Sequence, residues 1–404
     1  MAYAFTVSFQ FWLAIWVVYL TDFRGISLFL VGLLETFFQA VNVFGVVPAG
    51  AFADRFGRRR ALAIGTLIEG VGLSLFAFAG NFPMLLLSYL LWAGGGTMRD
   101  PAASAYLYDA LGSGGREADF SRLFGRYTAL MSAGFMLGGL IGAPIAGASS
   151  LQVPVAISGI SYSAALAIVL LLREPPRTQA IGGMTYWRTV AEGGRVLKHD
   201  RAIRYLVIIT FGLAFAAAAN VILMQPFLSR HDVPVAYFGL ILVPFRLGAA
   251  GASMWAYVVE RALGFQRAFG GLVVVPIVLL LALAAIDHVL MVVAIGLISV
   301  LGFARQPLVA DYLNRRTTSD TRATILALRR FSSSVVMSIG SPIAGALAEG
   351  SIRLAFLSLA VATGVVAGPA FFLWRKADRE PWPGQSRLDA AARDAAAEPA
   401  AVED

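Results

Sequence analysis

Long, nearly uninterrupted apolar runs alternate along this chain with short charged stretches. Runs of membrane-spanning length fall at approximately 4–21, 28–53, 61–80, 83–108, 127–148, 153–172, 204–227, 236–258, 268–286, 289–312, 324–348 and 353–374. A helix needs roughly 20 apolar residues to cross a bilayer core of about 30 Å. The pattern therefore predicts an all-α membrane protein with twelve transmembrane helices. The longest polar stretch, 173–203, divides it into six-helix units at 1–172 and 204–374. Arg173-Glu174-Pro175-Pro176-Arg177 stops the sixth run. Beyond it, Trp187, Val190, Ala191, Gly194 and Leu197 share one helical face between Met184 and His199, which predicts an amphipathic helix on the inner membrane surface. Residues 375–404 are rich in Ala, Pro and charge and are expected to form a disordered cytoplasmic tail.

Composition agrees with the pattern. Charged residues make up 14% of the chain and the mean hydropathy is +0.74, against roughly a quarter charged residues in soluble domains. The net charge of +8 is a topology signal rather than a mark of nucleic-acid binding. With the N-terminus inside, the cytoplasmic loops and tail hold 26 of the 32 Lys and Arg residues. The outer loops hold 3 (Arg24, Arg230, Arg353), and Arg99, Arg246 and Arg305 lie within segments. That asymmetry predicts both termini in the cytoplasm. The first segment is read as an uncleaved helix, since it lacks a charged leader region and a small-residue cleavage site. Cysteine is absent, and His199, His231 and His288 lie near segment ends, so neither thiol chemistry nor a metal site is expected.

One charged island stands out. Gly50-Ala51-Phe52-Ala53-Asp54-Arg55-Phe56-Gly57-Arg58-Arg59-Arg60 sits between Ile26–Ala53, whose one charge is Glu35, and Ala61–Met98, whose one charge is Glu69. Its Gly-x-x-x-Asp-Arg-x-Gly-Arg-Arg spacing resembles the loop signature between helices two and three of the major facilitator superfamily of secondary transporters. The resemblance implies two pseudo-symmetric six-helix bundles working by alternating access. It implies a gating network of Asp54, Arg58 and Asp109, with Gly50 and Gly57, which docks against helix eleven and holds the outward-open state. The halves also echo one another: Gly142-Ala143-Pro144-Ile145-Ala146-Gly147 in Gly340-Ser341-Pro342-Ile343-Ala344-Gly345, Arg99-Asp100-Pro101 in Arg305-Gln306-Pro307, and Asp54-Arg55-Phe56-Gly57 loosely in Glu260-Arg261-Ala262-Leu263-Gly264.

Ionisable residues inside membrane segments are costly and become functional candidates. Arg99 lies ten residues above Asp109, about 15 Å along a helix and so near the bilayer centre. Its setting resembles the superfamily's helix-four motif, whose Arg is implicated in proton coupling; the adjacent Asp100 and Pro101 depart from it. Glu35, Gln39 and Asn42 fall on one helical face, expected to line the cavity, and Glu35 is the favoured proton carrier. Glu69 is expected to pack against helix two or a partner. Arg246 and Arg305 would form a positive substrate site if unpaired; the alternative is pairing with Asp100 or Glu35. Gly138, Gly142, Pro144 and Gly147 resemble the helix-five signature of antiporters, though small residues also serve close helix crossings.

No phosphate loop, zinc motif or nucleophile elbow occurs, which argues against a pump or membrane hydrolase. The expected function is secondary transport of a small organic solute, as proton-coupled efflux, by a monomer in the inner membrane, without cofactor, metal or nucleic acid. An organic-anion carrier using Arg246 and Arg305 is the alternative. A non-transporting, transporter-like sensor is the alternative of another class.

Overall fold

The computed structural model describes residues 1–176, 197–198, 200–317 and 319–379. The amphipathic stretch of the linker and the tail beyond 379 lie outside them. The first crossing consists of α1 (Ala2–Val7) and α2 (Trp16–Val18), the latter running into a π-turn at Tyr19–Phe23. Then follow α3 (Leu28–Phe56), α4 (Arg58–Phe78), α5 (Phe82–Gly112), α6 (Phe120–Ala148) and α7 (Gln152–Leu171). In the second half, α8 (Arg201–Ala218) continues through a π-turn into α9 (Met224–Arg230). It is followed by α10 (Phe238–Leu263), α11 (Phe265–Ala285), α12 (Val292–Arg316), α13 (Ser319–Gly350) and α14 (Ile352–Ala377). Among the described residues, ten crossings are long and apolar enough to span a membrane by length and composition. The other two are the broken first crossing and α5, which carries Arg99 and Asp100 at its centre.

Side-chain caps set several starts: Ser27, Asn81, Asp200 and Ser351 each accept a backbone N–H at the head of α3, α5, α8 and α14. The loop-signature glycine joins α3 to α4 in a single residue, at φ 103°. Gly264 does the same between α10 and α11, at φ 78°. Both conformations exclude ordinary side chains, so the echo seen in sequence is an echo of backbone geometry.

The first segment departs from expectation. Residues 8–15 are not helical. The freed backbone is satisfied by side chains from elsewhere, as lipid-embedded chain requires. Ser158 accepts from Phe11 N–H at 3.0 Å and Ser161 donates to Phe9 C=O at 2.8 Å. Gln225 of α9 accepts from Val17 N–H at 2.8 Å and donates to Leu13 C=O at 3.4 Å. Gly138 and Gly142 let α6 press on the Gln10 and Phe11 backbone, where any side chain would collide. Gly147 serves the same purpose against Ala236.

The two halves meet at the face opposite the basic loops. Thr36 donates to Ser338 C=O at 2.6 Å, Glu349 accepts from Phe29 N–H at 2.8 Å, and Ser229 donates to Asp22 at 3.2 Å. Gly32 abuts Ser341 and Pro342, Gly345 abuts Leu28, and Gly239 abuts Gly139. One apolar core runs through this seam and takes residues from both halves, among them Trp12, Leu20, Leu34, Phe227, Phe238 and Ala344. A second core, built around Phe269, Tyr312 and Trp374, belongs to the second half alone. The described contacts between the halves thus include a seam at this face.

Candidate functional site

Between the halves lies a cavity of about 290 Å³. Its wall includes Gln10 and Leu13 from the broken first crossing, Phe38 and Asn42 from α3, Glu69 from α4, and Trp92, Arg99 and Asp100 from α5. Phe135 of α6 and Arg246 of α10 complete it.

The chemistry centres on Arg99. Its Nε lies 3.1 Å from Glu69 Oε2, and its Nη2 lies 2.8 Å from Asp100 Oδ1. The Glu69 and Arg99 side chains are 3% and 7% exposed, whereas Asp100 is 62% exposed. Tyr162 donates to the other Glu69 oxygen at 2.8 Å, and Gln10 donates to the Tyr162 hydroxyl at 2.6 Å. Glycines permit the approach: a Cβ at Gly65 or Gly95 would meet the facing backbone of α5 or α4. Arg99 Nη1 is buried without a hydrogen-bond partner among the described residues. Such a group is expensive unless something else meets it.

Glu69 is therefore neither peripheral nor turned toward α3, as its segment had suggested. The signal that could have found it is depth. It lies eleven residues above Arg58, about 16 Å, matching the height of Arg99 on the neighbouring helix.

The expected polar stripe on α3 divides. Asn42 lines the cavity. Glu35 is buried, accepts from Gln39 at 2.7 Å, and lies outside the cavity wall, next to the seam residue Thr36. Arg246 faces the cavity, and no carboxylate among the described residues pairs with it. Arg305 does not line this cavity; the Arg329 charge lies near it, and Arg329 bonds Gln306. The two arginines thus do not form one site here, and neither pairs with Asp100 or Glu35.

At the basic face, Arg58 reaches Asp54 at 2.7 Å and Asp109 at 3.5 Å, linking α3, α4 and α5. Glu174 accepts from Arg59 N–H with both oxygens at 3.2 Å, placing a carboxylate at the start of α4. The Arg59 guanidinium bonds the last carbonyls of α7. Between α3 and α13 the described hydrogen bonds and glycine contacts run from Leu28 to Thr36, while Arg55 and Asp109 at the basic face make further interactions. Gly50 has open space beside it.

Comparison with known proteins places this architecture. Multidrug resistance protein MdtH of Proteus mirabilis (strain HI4320) is 29% identical over 236 residues, which is 58% of this chain and 52% of that protein. MdtH of Klebsiella pneumoniae (strain 342) is 29% identical over 240 residues, 59% of this chain and 52% of its own. The matches span about half the length of these curated relatives. The crystal structure of nucleoside transporter NupG superposes with a TM-score of 0.76 at 13% identity, covering 94% of this chain and 98% of that one. A bacterial homolog to the human lysosomal transporter Spinster, inward-facing and occupied, gives 0.74 at 18% identity, covering 94% and 95%. At these identities the structures establish the fold alone. A family model, the Major Facilitator Superfamily, matches residues 1–310. The chain belongs to the Major Facilitator Superfamily.

Proposed function

We propose that this protein is a secondary active transporter that exports a small organic solute across the inner membrane by alternating access, driven by proton entry. The supporting observation is the Glu69–Arg99–Asp100 cluster on the wall of a cavity between two halves that share a seam. With the basic face cytoplasmic, as the charge asymmetry supports, both termini lie inside. The units 1–172 and 204–374 then rock about the cavity, joined by the 173–203 linker. The relatives named as multidrug resistance proteins favour export.

The geometry favours the Arg99 cluster over Glu35 as the coupling centre. In this state Glu35 is held by Gln39 beside the closed seam, whereas Asp100 is open to the cavity and shares Arg99 with Glu69. Protonating either cluster acid would loosen Arg99 from one partner and free it for solute. Asp54, Arg58 and Asp109 set the conformational balance and stay away from solute. A second reading, an organic-anion carrier, draws on Arg246 alone in the cavity wall.

The test is pH-gradient-driven flux of a lipophilic cationic dye in proteoliposomes holding the full chain. Asp100→Asn and Glu69→Gln are expected to abolish proton-driven accumulation, and Glu69→Gln to leave solute exchange. Unimpaired coupling in both variants would defeat the assignment of the cluster. Absence of gradient-driven flux for any dye, amine or acid tested would defeat the transport reading.

A further inference from the structure

The charges on the cavity wall cancel in sum but are separated in space. On the α4–α5 side, Arg99 is shared by Glu69 and Asp100, so with both acids ionised this side carries one net negative charge. Its accessible part is Asp100, of which Oδ1 is engaged by Arg99. On the opposite side Arg246 of α10 carries one positive charge with no carboxylate paired to it among the described residues. Phe38, Trp92 and Phe135 supply aromatic surface to the same cavity. The negative side belongs to the first half of the molecule and the positive side to the second.

From this we infer that the solute is an aromatic zwitterion, its cationic group directed to Asp100 and its acidic group to Arg246. This rests on the transport reading above and specifies its substrate class. A cation alone would leave Arg246 unanswered in a partly desolvated site; an anion alone would leave the surplus negative charge of the Glu69–Arg99–Asp100 group unanswered. A dipolar ligand answers both and has its ring against the aromatic wall. An acid group also suits the forked donor geometry of an arginine. The cavity volume of about 290 Å³ is at the small end for ligand pockets, which fits a compact solute of one or two rings. Because the two charges sit on different halves, such a solute would also tie the halves together. A ligand with one charge would engage only one of them.

The experiment measures binding to the full chain in nanodiscs by calorimetry, with two matched sets of probes. One set is tryptophan, tryptamine, indole-3-propionate and 3-ethylindole. The other is the corresponding biphenyl series: amino acid, amine, acid and hydrocarbon. In at least one set the zwitterion is expected to bind about tenfold or more tighter than every other member. Arg246→Gln should remove its advantage over the amine, and Arg246→Lys should retain part of it. Asp100→Asn should remove its advantage over the acid. These ratios are taken within one protein preparation, so a general loss of folded protein does not mimic them. The inference is overturned if a singly charged or neutral member binds as tightly as the zwitterion in both sets, if no probe binds, or if the advantage survives Arg246→Gln. Dye flux without a zwitterion advantage leaves the transport reading standing and removes only this inference. A zwitterion advantage without flux does the reverse.

Discussion

Removing the Glu69 carboxylate from Arg99 probes the centre of the structure. The pair is 3% and 7% exposed, so neither charge is well solvated. Breaking a buried pair by deleting one partner costs about 3–5 kcal/mol, because the other charge is left uncompensated. Glu69→Gln should cost less than Arg99→Gln. After Glu69→Gln, Arg99 keeps Asp100 at 2.8 Å. After Arg99→Gln, Glu69 keeps the Tyr162 hydroxyl and Trp92 but loses its cationic partner. The informative quantity is the coupling energy from a double-mutant cycle. For Glu69–Arg99 it should be about 2–3 kcal/mol, given the burial of both groups. For Asp100–Arg99 it should be under about 1 kcal/mol, because Asp100 is 62% exposed and its interaction is screened. Reversible unfolding in mixed micelles, titrated with SDS, gives the four free energies of each cycle. A coupling for Asp100–Arg99 equal to or above that for Glu69–Arg99 would refute the reasoning, because burial would then not be what sets the strength of the pair.

Other consequences follow from the seam and the basic face. Gly345→Leu or Gly239→Leu puts a side chain where the Leu28 or Gly139 backbone lies, forcing the seam apart; a cysteine at position 39 should then label about tenfold faster with a membrane-impermeant maleimide as the open population rises. Gln225→Ala strands the buried Val17 N–H and Leu13 C=O and should cost about 1–3 kcal/mol, with Gln225→Glu costing less because the acceptor for Val17 remains; thermal unfolding in detergent checks both. Asp54→Asn removes the 2.7 Å bond to Arg58. It should slow transport while solute affinity stays within about twofold, since the residue biases a conformational equilibrium rather than touching cargo. Equal losses in flux and affinity would place Asp54 in the binding site.

Much of the architecture was legible because membrane insertion writes itself into composition. The crossings, the basic loops and the glycine at 57 follow from apolar run length and from a turn that only glycine accommodates. The repeat echoes were legible too, and the structure gives them a use: the Gly142–Gly147 and Gly340–Gly345 runs provide close helix crossings. The break in the first crossing was not legible. Residues 8–15 contain neither proline nor glycine, and the groups that stabilise the break, Ser158, Ser161 and Gln225, come from far along the chain. Glu69 was visible as a lone acid in an apolar run, but its partner depended on which way α4 is rotated, and the weak amphipathicity of a membrane helix does not reveal that. For the same reason, helical spacing placed Glu35, Gln39 and Asn42 on one stripe without showing that Glu35 is buried away from the cavity wall while the cavity takes Asn42.

The central claim is that the halves close alternately on either side of the cavity. The chain has no cysteine, so pairs of introduced cysteines carry spin labels uniquely. One pair, Ser149→Cys with Leu290→Cys, reports the joined face; another, Arg60→Cys with Leu263→Cys, reports the basic face. Pulsed dipolar spectroscopy in nanodiscs, at acidic and alkaline pH and with saturating solute, should show two populations whose distances move in opposite senses on the two faces. Distances that stay fixed on both faces, or that lengthen and shorten together, under every condition would contradict the account.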